Sequence, residues 1–224
     1  MRLTISKENY LKAIAEAESE GEIVKAVTLT RWLGVSAPAV TMAIKRLRRD
    51  GLIQVGAEGH LTLTAAGREI ANRVINRHHL IERMLSEIFG LEWYKVHDEA
   101  EQLEHAVSAD FERKLAEKLG TERACPHGNI VGFDSASERR HRGLKPLDEA
   151  RAGERVRVSS VFERDRQLLE YLDGLGIRPG VELSVLRGGY VRANGERVTI
   201  ERAVMGKVWV QKVKRERTNG RGQE

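Results

Sequence analysis

The chain has 224 residues and carries 38 Lys and Arg against 33 Asp and Glu, a formal charge of +5 that is too small a surplus to name a partner. With 41% apolar and 32% charged residues, no apolar run near the roughly 18–20 residues a membrane span needs and no apolar stretch in MRLTISKENY, the composition excludes a disordered, collagenous or membrane-spanning chain and predicts a folded cytoplasmic protein. Cys125 is the single cysteine, so an internal disulfide is ruled out and the thiol is left as a core residue, a reactive group or a metal ligand.

From Ser6 to about Ser19, residues Tyr10, Leu11, Ile14, Ala15 and Ala17 recur at the spacing of an amphipathic helix that ends near Gly21. Thr28 to Leu33 predicts a short helix stopped by Gly34. Ser36 then caps a longer helix, with Pro38 in its first turn, that runs to Arg49 and breaks at Asp50-Gly51. Two alternating runs, Leu52 to Val55 and His60 to Leu63, flank Gly56-Ala57-Glu58-Gly59 and read as a hairpin. This order is that of a winged helix-turn-helix. The capped helix can enter a major groove by its N-terminal end, with Ser36, Ala37, Pro38, Ala39, Thr41 and Met42 toward bases or flanking phosphates. Lys45, Arg46, Arg48 and Arg49 would neutralise phosphate, with a steep salt dependence. The charge run alone reads as an ordinary solvated face; the order of elements around it favours DNA.

After Thr64 a long helical segment reaches Gly90, with Gly67 a candidate break and Ile70, Val74, Ile81, Leu85 and Ile88 as its apolar stripe. A second helix is predicted from about Val96 to Leu119, with Ala100, Leu103, Val107, Phe111 and Leu115 inward. On it His97, Glu101, Glu104 and His105 share an arc of roughly 100°. The preceding helix offers His78 and Glu82 at i and i+4, so packing of the two can gather six side chains suited to a divalent cation. Singly, each reads as a satisfied histidine or a solvated acid; their joint phase favours metal. No HExxH is present and no nucleophile stands out, so catalysis is not expected. Asp110, Glu112, Glu117 and Glu122 read as surface charge. The stretch from Gly120 to about Leu144 reads as a linker, within which Cys125-Pro126-His127 sets a thiol and an imidazole two residues apart.

Beyond it, residues 154 to 161 alternate, Gln167 to Leu175 is a short helix, and strands are expected at Val181 to Leu186, Tyr190 to Ala193, Arg197 to Ile200 and Lys207 to Val213. Asn194-Gly195 signals a hairpin in what reads as a small antiparallel barrel. Glu163 or Asp165, just before the short helix, is placed to complete a metal site with the middle part.

The segments RHHLIERML (77 to 85) and KVHDEAEQLEH (95 to 105), with LTAAGREIA (63 to 71), VSAPAVTMAIKRLRRDGLI (35 to 53) and the LGIRPG of the last module, resemble the metal-dependent repressors of the diphtheria toxin repressor type, including the manganese transport regulators. The resemblance implies a mainly α fold with small β modules: a winged helix-turn-helix over 1–72, a helical dimerisation and metal-binding domain over 73–143, an SH3-like barrel over 144–214, and a basic tail over 215–224. It implies a primary metal site of Asn9, His78, Glu101, Glu104 and His105, and an accessory site of Glu82 with His97, or with Cys125, His127 and Asp165 in preference to Glu163. Oxygen donors at Asn9 and Glu101 favour manganese(II), with iron(II) second, and the thiol-bearing accessory site suits zinc. Lys12 stands where some manganese regulators place a second Glu. The implied function is a homodimeric repressor of metal-uptake genes on a palindromic double-stranded DNA operator. A metal-independent winged-helix regulator and a metal storage protein or enzyme are the competing classes.

Overall fold

The structure, a computed structural model, describes residues 3–120, 124–130, 135–188, 190–193 and 195–213. Two compact units divide the chain: residues 1–142 with 163–166, and residues 143–162 with 167 onward. The expectations for Glu122, Asn194 and the tail from residue 214 lie outside the described residues.

In the first unit α1 (Ile5–Ser19) starts at Thr4, whose hydroxyl accepts from Lys7 N at 3.4 Å, and buries Leu11, Ile14 and Ala15 against α4 (Ala65–Arg83). Between α2 (Ala26–Leu33) and α3 (Ala37–Arg49), Gly34 makes the turn with φ +64, a conformation that glycine adopts without steric cost. Ser36 Oγ accepts from Ala39 N at 3.4 Å and caps α3. Val40 and Leu47, two turns apart, are its buried residues, so the opposite face is left free. The hairpin pairs β1 (Ile53–Val55) with β2 (Leu61–Leu63), Ile53 opposite Leu63.

Gly67 does not interrupt α4. A Cβ there would stand 2.0 Å from the Leu52 carbonyl oxygen, so glycine lets the helix cross the entry to the hairpin backbone to backbone. The helix continues into a π-helical turn over Met84–Ile88.

The single helix expected from Val96 to Leu119 is two, α5 (Val96–Leu103) and α6 (Ala109–Leu119). The chain turns after Glu104 and Ser108 caps the restart, its Oγ accepting from Phe111 N at 3.2 Å. Helical phasing therefore does not carry across the break: Ala100 and Leu115 are buried, whereas Leu103 and Phe111 are exposed. Buried Arg83 donates to the carbonyls of Leu119 and Gly120, both at 2.6 Å, and fixes the end of α6 on α4. The region expected to be a linker contains a tight turn, Gly128 N donating to Cys125 O at 2.8 Å, and α7 (Ala136–His141) with a Ser135–Glu138 capping box.

The second unit is a six-stranded antiparallel sheet in the order β3 (Leu144–Pro146), β8 (Val208–Lys212), β4 (Arg155–Val161), β5 (Glu182–Val185), β6 (Tyr190–Ala193), β7 (Glu196–Thr199). Val156, Val158, Leu183, Val185, Val191, Val208 and Val210 fill its core, with α8 (Arg166–Gly174) and α9 (Arg202–Met205) between strands. A register shift between Val158 and Ser160 bends β4. Neither β3 nor α9 was expected, since three and four residues are too few to show a period. Among the described residues no single helix is long and apolar enough to cross a membrane.

Candidate metal centre

Two groups of potential ligands meet where α4, α5, the Cys125 turn and the 163–166 segment of the first unit converge. One is His78, Glu82, His97 and Glu163; the other is His79, Glu82, Cys125 and Glu163; within each, the ligand atoms lie inside 4.8 Å of one another and all these residues are buried. Glu82 and Glu163 belong to both. Glu82 Oε1 is 3.1 Å from His78 Nε2, 3.2 Å from His97 Nδ1 and 3.3 Å from His127 Nδ1. Glu163 Oε2 is 3.5 Å from Cys125 Sγ and His127 Nδ1, and its Oε1 is 3.6 Å from His79 Nε2. His127 Nε2 donates to the Trp93 carbonyl at 2.8 Å, which fixes the proton on the outer nitrogen and turns Nδ1 inward as a potential ligand.

Two atoms of this cluster, Glu82 Oε2 and His79 Nδ1, are buried without a hydrogen-bond partner. A buried carboxylate oxygen left unpaired is costly, so the cluster fits a cation. The proton balance says the same. Burial opposes charging these imidazoles, yet the carboxylates prevail: Glu101 and Glu82 raise His97 to about 9, and Glu82 and Glu163 raise His127 to about 10. Burial alone would lift the Glu82 carboxyl, but His127 and His78 hold it well below the usual range. Without metal, protons supply the positive charge that two buried carboxylates demand.

Glu163, not Asp165, is the acid this geometry gathers. Asp165, two residues further along, belongs to neither group and is partly exposed. His79 was not singled out from sequence; it lies about 100° around α4 from His78 and gains its place only because Glu163 arrives on that side.

The residues expected to form the primary site are also together, but Lys12 is in their midst. Its Nζ stands 2.7 Å from Glu104 Oε2, 3.0 Å from His78 Nδ1, 3.8 Å from Glu101 Oε1 and 4.0 Å from Glu16 Oε1. His105 places Nε2 2.6 Å from Asn9 Oδ1 and 3.2 Å from Glu104 Oε1, and Nδ1 2.9 Å from Glu8 Oε2. These residues do not fit a metal ion as they stand. Among the acids read as surface charge, Glu112 accepts from Arg77 at 2.8 Å across α4 and α6.

On α3 all ten residues read as DNA-facing, Ser36, Ala37, Pro38, Ala39, Thr41, Met42, Lys45, Arg46, Arg48 and Arg49, are exposed. Thr41 Oγ1 donates to the Ala37 carbonyl at 2.9 Å, and Arg49 pairs with Asp50 at 3.3 Å.

Three family models match the chain: the iron dependent repressor N-terminal DNA binding domain over residues 2–61, the iron dependent repressor metal binding and dimerisation domain over 64–131, and the FeoA domain over 145–212. The diphtheria toxin repressor of Corynebacterium glutamicum is 33% identical over 194 residues, 82% of this chain and 85% of that protein. The iron-dependent repressor IdeR of Mycobacterium tuberculosis is 35% identical over 173 residues, 77% of this chain and 75% of its own length. A solved manganese-dependent transcriptional repressor in complex with manganese superposes with a TM-score of 0.82 at 31% identity, covering 92% of this chain and all of the other. Members of this family are DNA-binding repressors and not enzymes. The winged helix-turn-helix, the buried ligand cluster and the antiparallel terminal sheet thus agree with full-length relatives: the chain belongs to the diphtheria toxin repressor family of metal-dependent transcriptional repressors.

Proposed function

We propose that the chain is a manganese(II)-responsive repressor that acts in the cytoplasm as a homodimer on a palindromic operator and lowers transcription of metal-uptake genes when the ion is plentiful. The observation that carries this reading is the Glu82–Glu163 pair, two buried carboxylates ringed by imidazoles with Glu82 Oε2 unpartnered. His78, Glu82, His97 and Glu163 offer two nitrogens and two carboxylates, a set suited to manganese(II) or iron(II); the set with Cys125 is the one that suits zinc. Likeness to a manganese-complexed repressor supports manganese first. The iron-dependent relatives keep iron(II) as the second reading.

A bound ion supplies positive charge and directional bonds at this cluster. The chain's own residues relay the consequence. Next to Glu163, Arg164 places Nη1 2.7 Å from Glu16 Oε2 on α1 and donates from Nη2 to the Trp32 carbonyl of α2 at 3.4 Å. Whatever fixes Glu163 thereby fixes a side chain that grips two helices of the winged module. Metal alters DNA affinity only as far as it favours the arrangement that DNA also favours. In a dimer that arrangement must set two α3 helices about one DNA turn apart. Exposed Ile88, Phe89, Leu103 and Phe111 fall in the segment matched to a dimerisation model and support self-association through the end of α4, α5 and α6.

The test is a binding titration on an operator selected from a random DNA pool in the presence of manganese(II). Affinity should fall at least tenfold when chelator replaces the ion, and the response should be lost in Glu82→Gln. Equal affinity with chelator and with metal contradicts the reading; restoration by iron(II) but not manganese(II) selects the second one.

A further inference from the structure

The place where Asn9, His78, Glu101, Glu104 and His105 converge already contains a cation. We propose that Lys12, seconded by Arg164, is a permanent countercharge there, so that no divalent ion binds between Glu101, Glu104 and His105, and α1 is tied to α4 and α5 without metal.

Lys12 belongs to α1, and only 3% of it is exposed. Its ammonium donates to Glu104 at 2.7 Å, while His78 Nδ1 contributes its own hydrogen bond to the same oxygen at 2.7 Å. Glu104, on the C-terminal cap of α5, is thus held by one residue of α1 and one of α4. Glu101 is shared by the two cations, 3.8 Å from Lys12 Nζ and 3.2 Å from Arg164 Nη1, and Glu16 is shared in the same way at 4.0 and 2.7 Å. Three carboxylates, Glu16, Glu101 and Glu104, therefore face two fixed positive charges, the charge that one divalent ion would bring. Of the remaining expected ligands, His105 is engaged at both nitrogens, Nε2 with Asn9 Oδ1 at 2.6 Å and Glu104 Oε1 at 3.2 Å, and Nδ1 with Glu8 Oε2 at 2.9 Å.

The arrangement is legible in α1 itself. Glu8, Lys12 and Glu16 follow one another at i, i+4 and i+8 along a single face. Leu11 and Ile14, both fully buried, pin the helix so that the lysine stem is committed to the interior. An ion entering this place would have to expel a buried ammonium from a hydrogen-bonded carboxylate. Only the physiological consequence rests on the reading of the chain as a metal-responsive repressor: the ion is sensed at the Glu82–Glu163 cluster alone.

Equilibrium dialysis of the full-length protein against manganese(II), read by atomic emission, separates the possibilities. Native protein and His105→Gln should bind the same number of ions per chain. Lys12→Ala should bind one more, and Lys12→Ala with His105→Gln should return to the native number. Loss of one ion from the native protein on His105→Gln would overturn the proposal, as would a folded Lys12→Ala variant, checked by circular dichroism, that binds no more than native. His105 belongs to neither ligand group of the Glu82–Glu163 cluster, so the native comparison decides even if Lys12→Ala is unstable. A native protein without manganese that gains one ion on Lys12→Ala would support this inference while removing the metal-responsive function.

Discussion

Raising the pH on the metal-free protein should loosen it, and the size of the effect follows from the Glu82–Glu163 cluster. His97 and His127 are raised from 6.5 to about 9 and about 10 by the carboxylates around them, against the opposing pull of burial. A folded-state value above the unfolded one means stability that is complete below pH 6.5 and lost as pH climbs through the folded value. Between pH 6.5 and 9 linkage gives a loss of about 2.5 kcal/mol for His97 and about 3 kcal/mol for His127 if each titrated alone. Both lean on Glu82, so the pair together should lose about 3–5 kcal/mol. At about 2–4 °C per kcal/mol, the melting temperature should fall by about 10 °C. The depressed Glu82 and Glu163 carboxyls are the same attraction seen from the acid side and are counted once. Thermal melts in chelator from pH 6.5 to 9 test this, with the His97→Gln, His127→Gln double variant carrying the background titration. Native protein should lose about 10 °C more than the variant, and saturating manganese(II) should remove the difference because the ion replaces the protons. Identical pH profiles for native and variant protein would refute the reasoning.

Further outcomes follow from particular contacts. Glu163→Gln should weaken manganese(II) binding at least tenfold by isothermal titration calorimetry, whereas Asp165→Asn should leave it unchanged. Calorimetry in buffers of different ionisation enthalpy should show proton release on metal binding at pH 7, since the imidazolium protons of His97 and His127 must leave. Gly67→Ala should destabilise the first unit by about 1–3 kcal/mol or more in urea melts, because the added methyl meets the Leu52 carbonyl. Lys45→Ala should weaken operator binding and reduce the slope of log K against log salt by about 1, with little change in sequence preference.

Much of this molecule could be read from residue order because its signals are local. Ser36, Gly34 and the Asp50-Gly51 break bound α3 within a few residues of one another, and Val40 and Leu47 are spaced to bury one face. His78 and Glu82 announce themselves at i and i+4. What escaped depends on chain segments distant in sequence. Choosing Glu163 over Asp165 requires knowing how residues 163–166 return to α4, and His79 matters only once that return is known. The sequence predicts one continuous helix from Val96 to Leu119 because an apolar stripe persists across the break at Ser108, where a cap competes with propagation. Lys12 stands in the sequence where some manganese regulators place a second Glu, but that its ammonium fills the place between Glu101 and Glu104 follows only from packing α1 and α5 against α4.

Where the ion sits is the most direct test of the whole account. Anomalous diffraction at the manganese edge, from crystals of the full-length protein grown with manganese(II), should show density bounded by Glu82 and Glu163 and none beside Lys12. A peak enclosed by Glu101, Glu104 and His105, with the Lys12 side chain displaced, would contradict it.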